Sequence, residues 1–416
     1  MPSGADRTPI APSRGRCSIP VRKLNERVMS KVLRELPPAA KGGNTRRACL
    51  RGTAALVAAG WSAAGAGASA FGAAPARGRS AVEIGVAAEL TGRLASCGRA
   101  SRRAARRAAR EIEAAGGIAG RPLRLRFEDT ASDRSRLGVA VQVLLEDHRV
   151  EAVLGGFLAR LELTAVPGSV YDAGPSVAQR CDPAMPWLLE RGARRFALVA
   201  ASGTETRRLH HRVRALLAPR GAVVVAERFA DDAAAAVAAV APLLAQRPDC
   251  IVCSLSPPLL PAFVGALRRG GYTRAHGTLF CTFLDEAAGG SAGLSAMFEG
   301  VVSCQDHFAA LAPPGSPWAM IEATSPTAGN GGTALHRNLH LYAAALEATA
   351  AAPGDDAALA AALASVRLPA AVGGPAEMRA ATGRCALPMY LGEVVAGRVV
   401  VRRHAGTVEP EGCRSA

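Results

Sequence analysis

The sequence predicts an α/β protein of two doubly wound lobes, and three observations carry that expectation. From Val82 onward, short apolar runs alternate with helical stretches, the pattern of parallel strands covered on both faces by helices. At 416 residues the chain is too long for one small core. A hydrophobic content of 49% with 20% charged residues excludes a disordered chain, and aromatics at 4% imply a core of Ala, Val and Leu.

Taken in order, VEIGVAA (82–88) reads as a strand. A helix follows over 101–115, with Ser101 placed to cap it and Gly116-Gly117 to end it in a left-handed turn. PLRLRFED (122–129) alternates as a half-covered strand, 137–146 is helical, and VEAVLGG (150–156) is fully apolar. ARRFALVAAS, GAVVVAERFA, DCIVCSL, GTLFCTFL and EGVVSCQDHF are further strands. Helices over 206–219, 232–246 and 258–269 separate most of them, and 335–351 and 356–366 are also helical. After Gly373-Gly374 the pattern changes to hairpins, ending in LGEVVAGRVVVRRHAG.

The net charge of +16 is unevenly spread. Residues 1–70 hold 12 basic and 3 acidic residues, a net of +9, and the other 346 residues carry only +7. Three basic residues are lysine (Lys23, Lys31, Lys41) and the rest arginine, a compositional bias without recognition motif or interleaved aromatics, so no nucleic-acid partner is expected. Residues 1–43 form a basic extension with no part in the fold, and Met29 is an alternative start. The run TRRACLRGTAALVAAGWSAAGAGASA (45–70) resembles a twin-arginine export signal closing on Ala68-Ser69-Ala70, with Cys49 where Phe is commoner. A membrane anchor is the alternative, but a run this rich in Ala and Gly gains little from lipid. Export to the periplasm would permit disulfides among the eight cysteines after Ala70. Cys250 and Cys253 have metal or redox spacing, yet sit inside a strand where residues three apart face opposite ways, so core packing is expected.

Signs of catalysis are missing. Gly65 to Ala70 mimics a dinucleotide fingerprint but follows no strand, and no G-x-S-x-G elbow or P-loop occurs. His336 and His340 stand at i, i+4 spacing, as does no other pair, but without the Glu of an H-E-x-x-H pattern; His210-His211 are adjacent. No enzyme, cofactor or metal centre is expected.

The run IGVAAELTGRLASCGRASRRAARRAAREIEAAGGIAGRPLRLRFEDTASD resembles the opening of type I periplasmic solute-binding proteins, the branched-chain amino-acid and amide/urea receptors of ABC importers. The likeness continues through LLEDHRVEAVLGG, PAMPWLLERGARRFALV and FEGVVSCQDHF to GGPAEMRAATGRCALPMYLGEVVAGRVVV, whose tail is most similar to the amide/urea branch; it covers roughly 82–405. The resemblance implies the periplasmic binding protein-like I fold, two lobes joined by three crossovers and closing on a small solute by a hinge. Its division would be 81–178 and 305–372 for lobe 1, 179–304 and 373–405 for lobe 2, and 406–416 as a tail.

The same resemblance places the solute among loops at strand ends: Ser96 in the first, Phe157, Leu158 and Ala159 in the loop after VLGG, Ser202 and Thr204 after FALVA, and Asp285 and Glu286 after LFCTFL. Asp285 or Glu286 would pair with a ligand amine, while Ser96 would serve equally as a helix cap. Two departures stand out. The loop GGFLARL (155–161) lacks the hydroxyls of relatives, and only Gly168-Ser169-Val170 separate Pro167 from Tyr171, where relatives carry another strand and a long loop. A missing strand would leave backbone groups uncovered. Tyr171 is expected to pack. The expected function is extracytoplasmic capture of a short amide, urea or branched-chain amino acid for a membrane permease. The alternatives are a ligand-sensing regulator of the amide-binding type and a non-binding remnant.

Overall fold

The computed structural model of the chain describes residues 80–155, 163–166, 169–286, 294–312, 329–349 and 355–411; the expected extension (1–43) and leader (44–70) lie outside them. β1 (Val82–Ala88) is apolar and buried except at Glu83 because it runs inside a sheet, flanked by strands on both sides. β2 (Leu123–Asp129) alternates because it is the edge: Leu123 is buried, whereas Arg124 and Arg126 turn out toward Glu83 of β1. The two strands run parallel, Val82 opposite Leu123 and Ala88 opposite Asp129, and α1 (Ala95–Ala114) crosses between them.

This helix begins six residues before the expected start, and Ser101, 1% exposed, sits inside it rather than capping it. Asp129 is the reason. Its carboxylate accepts from the backbone of Leu90 (2.9 Å) and Thr91 (3.1 Å) and from the Thr91 hydroxyl (2.6 Å), while the Ser132 hydroxyl accepts from Leu94 (2.9 Å). The loop is therefore fixed from the end of β2, and the helix starts where that grip ends. A Cβ at Gly98 would lie 2.0 Å from the Glu89 carbonyl oxygen, so glycine alone lets the first turn sit this close. At the far end Gly116 and Gly117 take positive φ and end the helix as expected.

α2 (Arg134–Gln142) is capped by Asp133, which accepts from Ser135, and leads through a short π turn to β3 (Ala152–Gly155), parallel to β1. The space beside β3 is not left uncovered. β4 (Leu163–Val166) pairs antiparallel with Val153 and Leu154, and β5 (Ser169–Tyr171) folds back on β4, giving the order β2-β1-β3-β4-β5. A shortened chain lacks the length for a crossover to another parallel strand, whereas a hairpin needs only a tight turn. Tyr171 packs as expected, its hydroxyl donating to Ala360 (3.4 Å). α8 (Gly329–Thr349) and α9 (Asp356–Leu363) complete this half, α8 lying along α1.

The second sheet begins after α3 (Val177–Glu190), which opens with a Ser176/Gln179 capping box. Its parallel part contains β6 (Arg195–Ala200), β7 (Val223–Phe229), β8 (Cys250–Ser254), β9 (Thr278–Cys281) and β10 (Val302–Gln305). Between them run α4 (Thr204–Leu217), α5 (Ala233–Ala238), α6 (Val240–Leu244) and α7 (Leu260–Arg269). β11 (Arg367–Leu368), β12 (Ala376–Arg379), β13 (Arg384–Val395) and β14 (Arg398–Val408) supply the antiparallel flank, in the order β11-β12-β13-β10-β9-β8-β6-β7 with β14 on β13. Cys250 and Cys253 are buried in β8, and every described cysteine is a free thiol. Among the described residues no helix is long and apolar enough to cross a membrane.

One arginine holds the passages between the sheets. Arg337 of α8, 1% exposed, pairs with the buried Asp306 just after β10. The same guanidinium donates to the Ala173 carbonyl between β5 and α3 (3.0 Å) and to the Val372 carbonyl in the turn between β11 and β12 of the second sheet (2.8 Å). Asn338 adds a contact, accepting from Ala173 (3.1 Å). Removing one partner of a buried ion pair leaves the other charge stranded, at a cost of about 3–5 kcal/mol. We expect Arg337→Met to lower unfolding free energy by that order in urea titrations, and a change below about 1 kcal/mol would remove Arg337 from this role.

Candidate functional site

In parallel α/β sheets, loops and helix N-termini converge beyond the carboxyl ends of the strands. The loop after β1 enters this region as Glu89, fully buried, followed by the segment that Asp129 grips. It delivers Ser96, exposed, and Cys97, largely covered, in the first turn of α1. The loop after β9 comes from the other sheet and delivers Phe283, Asp285 and Glu286. The two loops come within electrostatic reach of each other. The Cys97 thiol is pushed up to about 11 by burial first, then by the charges of Asp285 and Glu89, against a hydrogen bond from Ser96. Asp285 thus acts electrostatically on Cys97 across the boundary between the sheets, and Cys97 in turn shares a hydrogen bond with its neighbour Ser96.

Glu286 has a different task. It accepts from the Ala309 backbone (2.8 Å), tying the β9 loop to the turn after β10. Burial and the neighbouring Asp285 charge push its carboxyl up to about 7, opposed by its backbone hydrogen bonds and His307. Ser202 and Thr204 are exposed at the start of α4, and the Ser202 amide donates to Asp231 (2.7 Å) at the end of β7. Phe157, Leu158 and Ala159 lie outside the described residues.

Sequence reasoning passed over Arg180 and Phe283. Arg180, in the first turn of α3, lies with its guanidinium 5.2 Å from the centre of the Phe283 ring. Its Nε is buried without a hydrogen-bond partner among the described residues. The Asp172 carboxyl beside it is raised by full burial, with Arg384 and Arg180 pulling it down and Glu205 pushing it up. Asp172 pairs with Arg384 (2.9 Å). Phe283 carried a readable signal, being the aromatic of the LFCTFL loop that also holds Asp285. Arg180 carried none, one arginine among many.

On the outer side of the first half, Glu111 of α1 meets His336 (2.6 Å) and His340 (3.1 Å) of α8. The expectation that no carboxylate accompanies this histidine pair came from local spacing; the fold supplies one from 225 residues away.

A family profile described as periplasmic binding protein matches residues 81–166 and 159–398. No curated protein is matched by the sequence. Among solved structures, the chain is similar to a solute-binding protein of an ABC transporter from Rhodopseudomonas palustris BisB5 in complex with 3,4-dihydroxybenzoic acid: 17% identity, TM-score 0.67, covering 79% of this chain and 98% of that one. It is similar too to a leucine-, isoleucine-, valine-, threonine- and alanine-binding protein from Brucella ovis, with 17% identity, TM-score 0.64 and coverage of 81% and 98%. A leucine-binding protein from Thermotoga maritima MSB8 aligns at 14% identity, TM-score 0.62 and coverage of 78% and 98%. With two sheets, loops that meet between them and a family profile spanning most of the described residues, the chain belongs to the periplasmic binding protein family, whose members are receptors rather than enzymes.

Proposed function

We propose that the protein is an extracytoplasmic solute-binding protein of an ABC importer, exported by the twin-arginine route, which captures a small solute between its lobes and presents it to a membrane permease. The observation that carries this reading is the electrostatic reach of Asp285 in the β9 loop to Cys97, beside Ser96 in the β1 loop. A solute seated there touches both halves only when they are closed, so its binding energy shifts the population toward the closed form. The site residues on this reading are Ser96, Asp285, Phe283 and Arg180, with Glu286 orienting the loop.

The chemistry favours a solute with an anionic group and an apolar body. A buried N–H left unpaired costs about 1–3 kcal/mol, which a carboxylate against Arg180 Nε would relieve. Phe283 supplies a ring face beside it. Similar solved structures bind aromatic acids and branched-chain amino acids, both of which meet this description. An amino acid would in addition place its amine near Asp285. A short amide or urea, the solute of the branch that the C-terminal sequence resembles, would leave Arg180 without a counter-charge.

Thermal shift and calorimetry with leucine, valine, 4-hydroxybenzoate, acetamide and urea test the reading. Binding of one carboxylate-bearing class is expected, weakened at least about tenfold by Arg180→Met, the loss of a charged hydrogen bond. Silence across the panel would instead favour a remnant that has lost its ligand. Glu286 adds a pH test. Its carboxyl, raised from 4.5 to about 7, keeps its proton longer in the folded protein than in the unfolded chain. Its contribution to stability is therefore present at low pH and lost as pH rises from 4.5 to 7. Urea titrations at pH 5 and pH 8 should show the wild type losing stability relative to Glu286→Gln over that interval; a difference independent of pH would count against the assignment.

A further inference from the structure

The Glu111, His336 and His340 side chains sit far from the solute loops, on the seam between α1 and α8. Glu111 is about four helical turns along α1 from Ser96, roughly 22 Å at the usual rise. The seam is unusually close: a Cβ on Gly332 of α8 would touch the Ala104 methyl at 3.2 Å, and α1 faces α8 with Ala100, Ala104, Ala108 and Ile112. Small residues bring the helix axes together, and Glu111 then follows Ala104 and Ala108 on the same face. His336 and His340, one turn apart on α8, present their rings side by side with centroids 4.5 Å apart.

From this geometry we propose that Glu111, His336 and His340 form a binding site for a divalent transition-metal cation of the zinc class, which clamps α1 to α8. One ligand atom from each residue lies within 4.8 Å of the other two. Both histidine Nε2 atoms converge on the same oxygen, Glu111 Oε2, at 2.6 and 3.1 Å. A tetrahedral zinc ion with bonds of about 2.0–2.1 Å needs donors roughly 3.3 Å apart, so shifts of under about 1 Å would admit it. Arg107 pairs with the other carboxylate oxygen, Oε1, orienting Glu111 while its positive charge opposes the cation. His336 is buried, whereas Glu111 and His340 are each 28% exposed on their side chains, which leaves an entry path and room for water at the remaining position. Two imidazoles with one carboxylate select zinc, cobalt or nickel over magnesium and calcium, which take oxygen ligands.

The clamp lies next to the arginine that joins the lobes, since His336 precedes Arg337 in α8. Metal binding would therefore hold the helix that carries the hinge contact and leave the solute loops untouched. This distinguishes its test from that of the solute site.

The test uses untagged, chelator-treated full-length protein, titrated with Zn²⁺ by calorimetry and with Co²⁺ by visible absorption. The expected result is one ion per chain, the absorption of a four-coordinate cobalt centre and a saturable rise in melting temperature. Glu111→Gln and His340→Gln should each weaken binding at least about tenfold. His340 is partly exposed, so its variant can be judged even if the Glu111 variant folds poorly. Failure of the wild type to bind a stoichiometric ion, or His340→Gln binding as tightly as the wild type, would overturn the site.

Discussion

A guanidinium in the interior must be surrounded by acceptors or it unfolds its surroundings, and Arg337 meets that constraint by gathering the chain passages between the two sheets. Asp306, Ala173 and Val372 come from three separate stretches of chain, which makes the join one network rather than three independent linkers.

The cleft walls divide their labour. Asp129 and Ser132 hold the loop after β1 from behind, so Ser96 and Cys97 arrive on a fixed frame. Glu286 does the same for the loop after β9 through Ala309, and the charge of its neighbour Asp285 reaches Cys97. Arg180 and Phe283 supply the opposite charge and an apolar surface. On the proposed reading, both signs of charge would suit a zwitterion, and the arginine with its ring face an aromatic acid.

Strand and helix periodicity was legible wherever a segment's own burial pattern set its conformation. β1 shows this in its apolar run, broken only by Glu83, and β2 in its alternation. The helix end at Gly116-Gly117 could be read because a left-handed turn has a local signature. The start of α1 could not, because it is fixed by Asp129 and Ser132 some 38 residues downstream instead of by a cap within the helix. The β4–β5 hairpin is short and antiparallel, and a reading built on parallel β-α units expects a gap there. Asp285 was visible from its place after a strand. The Glu111 contact with two histidines arises only when α1 and α8 pack, and no spacing along the chain encodes it.

The residue after β5 has a further role. Asp172 donates its amide to the Gly383 carbonyl (2.9 Å), and its own carbonyl accepts from Cys385 at the start of β13 (3.4 Å). The two sheets are thus stitched by main-chain bonds at a single residue. Such a stitch resists sliding of one half along the other yet tolerates rotation about the bonds themselves. A movement of one half that kept both bonds would have to turn about Asp172, whereas one that slid the halves apart would have to break them.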